Sequence, residues 1–290
     1  MAGDVTLIDA HQHFWKIERD DYGWITPDIS VLYRDFLPDD LAPILSDQGI
    51  SRTVLVQAAP TVDETEFMLS LASAYDFIAG VVGWVDFEDP ATAIADIARF
   101  ARHDKFVGVR PMIQDIEDAD WMLRAEFSPI FEALIARNLA FDALVLPCHL
   151  ANLHILARRY PALRIVIDHA AKPKIRNGIH GPDGYVEWAR MMGEFTPLKN
   201  VYCKVSGLLT EAASGAGLHD LKPYLDHLPR VFGADRLMWG SDWPVLKMAA
   251  EYPDWVKMTR QWLGTFASAD VEKIVAKTAT HFYQLAKDPD

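Results

Sequence analysis

Eight short apolar runs recur along the chain with room for one helix between each pair, and this alternation limits the fold more than any other feature. The runs are 7–13, 52–58, 77–85, 106–112, 141–146, 164–170, 201–207 and 236–243. Most are apolar on successive residues, which suits strands buried on both faces. Between them, 39–48, 64–75, 91–102, 128–137, 153–159, 185–194, 221–232 and 254–263 read as helices, and 269–286 closes the chain. In 290 residues this pattern predicts an α/β fold, a (β/α)8 TIM barrel. A doubly wound open sheet is the competing architecture. It needs a glycine-rich phosphate loop after the first strand, and none is there. No repeat or low-complexity linker interrupts the chain, so residues 1–290 read as one domain.

A barrel of this kind works at the C-terminal ends of its strands. Those ends carry His11 and His13 on strand one, Gln57 on two, Trp84 and Asp86 on three, Arg110 on four, His169 on six, Lys204 on seven and Asp242 on eight. His11 and His13 are one residue apart, so on a strand their rings point the same way. Close imidazoles can hold a divalent metal, bind an anion or polarise a carbonyl. Each residue also has a structural use. His169 could be a core histidine, Asp242 could cap a helix beginning at Pro244, and Arg110 could brace the barrel through Asp142 or Asp168. Strand phase leaves Lys204 and Gln57 open, Trp84 could only wall the pocket, and His149 lies three residues past strand five. Segment 14–37 holds six aromatic residues, Trp24 among them, which can stack on a sugar or pack over the barrel mouth. The basic run Lys172, Lys174 and Arg176 reads first as a solvated loop face, with contact to a substrate as its other use.

A net charge of -13 opposes nucleic acid and anionic membrane as partners, because phosphate binding rests on clustered Lys and Arg. Small neutral molecules stay open. The two cysteines, Cys148 and Cys203, suit a reducing compartment. The N-terminal Met-Ala-Gly-Asp lacks the basic flank and apolar run of a signal peptide, and no apolar stretch is long enough to span a bilayer. The expectation is a cytoplasmic protein, with homo-oligomerisation left open.

With its HxH pair on strand one, histidine on strand six and aspartate on strand eight, the chain resembles the amidohydrolase superfamily. Four stretches are similar to its sugar-lactonase branch, the L-fuconolactonase-like enzymes. They are Ala10-His11-Gln12-His13-Phe14-Trp15, Tyr22-Gly23-Trp24-Ile25, Cys203-Lys204-Val205-Ser206-Gly207-Leu208 and Gly240-Ser241-Asp242-Trp243-Pro244-Val245. The resemblance runs from the first strand to the last. It implies hydrolysis of a sugar aldonolactone, with Asp242 activating water and His11, His13 and His169 polarising the carbonyl. Arg110, Trp24, Gln57, Trp84 and Lys204 would bind the substrate.

Metal-dependent members place an anionic ligand at strand four, where this chain has Arg110-Pro111-Met112. A fixed cation there opposes a two-metal centre. The lactonase branch, by resemblance, requires no cofactor, while one zinc on His11, His13, His169 and Asp242 stays chemically allowed. The alternative reading is a mononuclear zinc-dependent hydrolase or decarboxylase of the same superfamily, acting on an aromatic or muconate-type acid.

Overall fold

The eight apolar runs form one parallel sheet whose neighbours follow the order of the chain. In the computed structural model, which describes residues 7–179, 181 and 184–286, the strands are β1 (Leu7–Gln12), β2 (Ile50–Val56), β3 (Ile78–Gly83), β4 (Phe106–Val109), β5 (Ala140–Ala143), β6 (Arg164–Ile167), β7 (Val201–Val205) and β8 (Leu237–Trp239). The reading of residues 1–4 as lacking a signal peptide falls outside the described residues. The sheet closes on itself where Gln12 bridges in parallel to Trp243. Asp242 N donates to His11 O at 2.8 Å and His13 N to Trp243 O at 2.7 Å. The result is a TIM barrel, as the alternation of runs predicts.

Eight helices cover the outside: α1 (Pro38–Gln48), α2 (Val62–Ala74), α3 (Pro90–Phe100), α4 (Ser128–Ala136), α5 (Leu150–Arg159), α6 (Tyr185–Gly193), α7 (Leu218–Phe232) and α8 (Tyr252–Leu263). Their limits follow from local chemistry. Thr61 accepts the Glu64 amide before α2, Asp89 accepts the Thr92 amide before α3, and Gly49 takes a left-handed φ of 68° after α1. No helix among the described residues is long and apolar enough to cross a membrane.

Three expectations need correction. The run 164–170 stops being a strand at Ile167, and His169, Ala170, Ala171 and Lys172 follow with φ of 52°, 50°, 60° and 48°. The run 236–243 stops at Trp239, and Asp242 has a φ of 61°. Hydrophobic pattern cannot separate a buried strand from the buried, left-handed turn that follows it. The closing segment 269–286 is broken into α9 (Ser268–Glu272), a wider π turn (Lys273–Lys277) and α10 (Thr278–Tyr283).

The 14–37 segment does mostly packing. Trp15 and Phe36 pair through both backbone hydrogen bonds and are fully buried. Tyr22 Oη donates to Glu64 Oε2 at 2.6 Å, tying the segment to α2. Trp24 alone of its larger aromatics reaches the barrel mouth.

Candidate active site

At the C-terminal ends of the strands lies a cavity of about 360 Å³ whose wall includes His13, Trp24, Arg110, His169 and Asp242. Asp242 leaves β8 in a left-handed conformation that few non-glycine residues adopt without support. The support is Asp9, buried on β1, whose Oδ1 accepts from Ser241 N at 2.8 Å and His11 N at 3.1 Å while its Oδ2 accepts from Tyr252 Oη at 2.9 Å. One carboxylate thus fixes both ends of the barrel seam. Burial pushes the Asp9 carboxyl up to about 6, against these hydrogen bonds.

His13 Nδ1 lies 2.7 Å from Val56 O, a pure acceptor, so Nδ1 carries the proton. His13 Nε2 lies 3.2 Å from Asp242 Oδ1 and 3.1 Å from His11 Nε2. His11 is fully buried behind these groups. Its Nδ1 lies 3.1 Å from Lys204 Nζ. His169 projects from the left-handed turn after β6. Its Nδ1 meets Ser206 Oγ at 2.9 Å, and Trp188 Nε1 donates to Ala170 O at 2.7 Å to hold the turn. Gly207 is required opposite, because a Cβ there would stand 2.5 Å from His169 Nδ1.

Burial moves the imidazoles toward neutrality. His169 is pushed down to about 4, His13 is lowered despite the Asp242 carboxylate, and His11 is lowered well below its usual range by burial and by the Lys204 charge. Burial also works to raise Asp242, but the adjoining imidazoles of His169, His13 and His11 hold it well below the ordinary carboxylate range. At neutral pH the site is an ionised carboxylate among neutral rings, with Arg110 supplying positive charge.

Four placements differ from expectation. His11 forms the floor behind the cavity wall and does not line it. Lys204 lies deeper still, fully buried, with Nζ 2.5 Å from Asp142 Oδ2 and 3.0 Å from Asp168 Oδ1. Gln57 is buried and donates to Arg110 O at 2.7 Å, and Arg110 bonds Gln57 O in return. Trp84 keeps its backbone N and O on Thr65 Oγ1 at 2.8 and 3.0 Å and is absent from the cavity wall. Gln57 and Lys204 are thus buried beneath the site, while Trp84, just past the end of β3, stands half-buried beside it. Arg110 both lines the cavity and pairs with Asp168 Oδ2 at 3.3 Å, joining two readings that the sequence left apart. His149 Nδ1 accepts its own Leu146 amide at 3.1 Å and is not on the wall.

Lys172, Arg176, Thr210 and Glu211 also line the wall, though none is among the residues picked from the strand ends. Lys172, half-buried, and Arg176, still exposed to solvent, both border the cavity. Arg176 Nη2 is fixed inward by Thr210 O at 2.9 Å, a long-range contact with no local signal. Residues 180, 182 and 183 of the neighbouring loop lie outside the described residues. A second cleft, about 250 Å³ and lined by Leu7, Ile50, Trp239 and Val256, is almost wholly apolar, with Arg260 as its charged residue.

The donor set is spaced for one small divalent ion. His11, His169 and Asp242 present ligand atoms all within 4.8 Å of one another. The approaches of 3.7 Å from His11 Nε2 and from His169 Nε2 to Asp242 Oδ1 are near the edge of about 3.3 Å between ligands about 2 Å from zinc, and His13 stands beside this set.

The sequence matches the amidohydrolase family over residues 8–285. It is 45% identical to L-fucono-1,5-lactonase of Burkholderia ambifaria, over 96% of this chain and 95% of that one. It is 34% identical to L-fucono-1,5-lactonase of Burkholderia multivorans, over 98% and 97%. The structure superimposes with a TM-score of 0.91 on an amidohydrolase of Burkholderia multivorans crystallised with bound zinc, at 34% identity and 97% and 100% coverage.

Proposed function

Because the chain belongs to the amidohydrolase family, we propose that it hydrolyses a sugar aldonolactone of the L-fucono-1,5-lactone kind, with Asp242 as the group that activates water. The observation that carries this reading is an ionised carboxylate on the cavity wall, next to a histidine nitrogen without a proton, with a guanidinium facing the same space. Whole-length similarity to two L-fucono-1,5-lactonases supports the substrate class.

The ring seats against Trp24, with its carbonyl toward Arg110 and the outward nitrogen of His169. Those donors stabilise the oxyanion, a contribution of about 3 kcal/mol each. Asp242 takes one proton from water as the water oxygen bonds to the carbonyl carbon. It returns that proton to the ring oxygen as the C–O bond breaks, leaving an open hydroxy-acid. His13 stands beside the base, with Nε2 3.2 Å from Asp242 Oδ1. His11 acts from the floor, through His13, and is not assigned direct contact with the carbonyl. If a zinc ion is held, His11, His169 and Asp242, with His13 beside them, are its ligands, and it would supply Lewis-acid polarisation.

A panel of aldonolactones, followed by acid release with and without chelator, tests the proposal. The expected result is turnover of 1,5-lactones of six-carbon sugar acids at a rate that chelation leaves unchanged. Loss of turnover on chelation, restored by zinc, would replace the metal-free mechanism. No turnover of any lactone, with carbon dioxide released from an aromatic or muconate-type acid, would replace the substrate class.

A further inference from the structure

Lys204 stands at the bottom of a directed set of hydrogen bonds. Nζ carries donors only, so its 3.1 Å contact with His11 Nδ1 makes that nitrogen an acceptor. A neutral imidazole that accepts at Nδ1 carries its proton on Nε2. The same conclusion follows from the opposite end. Val56 O fixes the proton of His13 on Nδ1, leaving Nε2 bare, and the 3.1 Å approach of His11 Nε2 to His13 Nε2 needs one proton between them. That proton is on His11.

From this geometry we infer that Lys204 is a positioning residue that holds His11 in its Nε2–H form, so that His11 serves as a donor to His13 and its lone pair is kept from a metal ion. Asp168 supplies the alternative state. Its Oδ1, paired with Lys204 Nζ at 3.0 Å, lies 3.5 Å from His11 Nδ1. Without Lys204, His11 would donate from Nδ1 to Asp168, turning its Nε2 lone pair toward His13 Nε2 and Asp242 Oδ1. A carboxylate behind a histidine in this way is the usual support for a metal ligand. Two approaches favour that state, the one to Asp168 and that of Arg110 Nη1 to His11 Nε2, both at 3.5 Å. They are longer than the two 3.1 Å contacts, and Arg110 has Gln57 O and Asp168 Oδ2 as other acceptors. The surroundings therefore hold both arrangements, and Lys204 selects between them.

The selection rests on the proposed hydrolase reading only for its effect on turnover. The form of His11 is measurable without substrate. Nitrogen NMR of histidine-labelled native protein, with His11 assigned by the spectrum of His11→Asn, is expected to show Nε2 protonated and Nδ1 bare. The double variant Lys204→Met/Asp142→Asn removes one buried cation and one buried anion, so net charge beneath the ring is unchanged. It is expected to show the proton on Nδ1 and to bind zinc at least tenfold more tightly than the native chain, by competition with a chromophoric chelator. A native His11 protonated on Nδ1 overturns the inference. So does a folded double variant, judged by circular dichroism, that binds zinc no better. If the double variant does not fold, the native spectrum alone decides. A native enzyme inactive on every lactone, with the proton still on Nε2, would defeat the substrate reading and leave the role of Lys204 standing.

Discussion

Asp242 is held in a left-handed backbone conformation among three imidazoles, and the chain retains it there by tying its neighbours to Asp9. Substituting Asp242→Asn keeps the shape and removes the base. Turnover is expected to fall by about 10²–10⁴, with the melting temperature and the KM for a lactone little changed, as steady-state kinetics and calorimetry would show. The pH dependence belongs to the same scale. His169 titrates near 6.5 when unfolded and is pushed down to about 4 by burial in the fold. Its ring therefore stays neutral to well below pH 6, and the acid limb of kcat/KM is expected near pH 4. A limb centred at 6.5 would show that burial does not act on this ring. Stability follows with a definite sign. Between pH 6.5 and 4 the unfolded chain takes a proton that the folded chain refuses, so this contribution is complete above 6.5 and is lost on acidification through that window. At this scale the sequence was informative about identity but silent about tautomers. His11, His13, His169 and Asp242 could be picked from strand ends, yet which nitrogen holds a proton depends on Val56 O and Lys204, which are neighbours only after folding.

The turn after β6 and the end of β7 act as one element. Ser206 meets His169, and Gly207 leaves the space that its ring fills. A methyl group in Gly207→Ala would stand 2.5 Å from His169 Nδ1, at a residue with a φ of 63°. The variant is expected to lose turnover by about 10²-fold, the scale of a misplaced reacting group, while urea melts show only a modest loss of stability. Ring displacement would be visible as a changed His169 signal in the histidine spectrum. The other clamp is Asp9, which joins β1, the loop after β8 and α8. Asp9→Asn replaces an acceptor by a donor facing Tyr252 Oη or two amides, and is expected to cost about 1–3 kcal/mol in urea unfolding. Elements themselves were legible because each strand and helix announces its period locally. Their ends were not: 164–170 and 236–243 continue apolar into turns whose reversal is set by partners such as Trp188 and Asp9.

For the molecule as a whole, the alternation of eight runs was sufficient to name a barrel, because parallel strands with intervening helices have few closed arrangements. What it left out is how the barrel is sealed from below. Tyr283, on α10, is buried with its Oη 2.6 Å from Asp142 Oδ2, and Asp142 pairs in turn with Lys204. Burial raises the Tyr283 phenol well above its usual range, so it stays a donor. Tyr283→Phe is expected to lower unfolding free energy by about 1–3 kcal/mol, measured by urea denaturation, with the secondary structure unchanged by circular dichroism. This contact joins one of the last described turns to the floor of the mouth, near the first strand. The Tyr283 hydroxyl thus couples α10 to the Asp142–Lys204 pair beneath His11, so a disturbance at this outer helix reaches the active-site floor through that hydrogen bond.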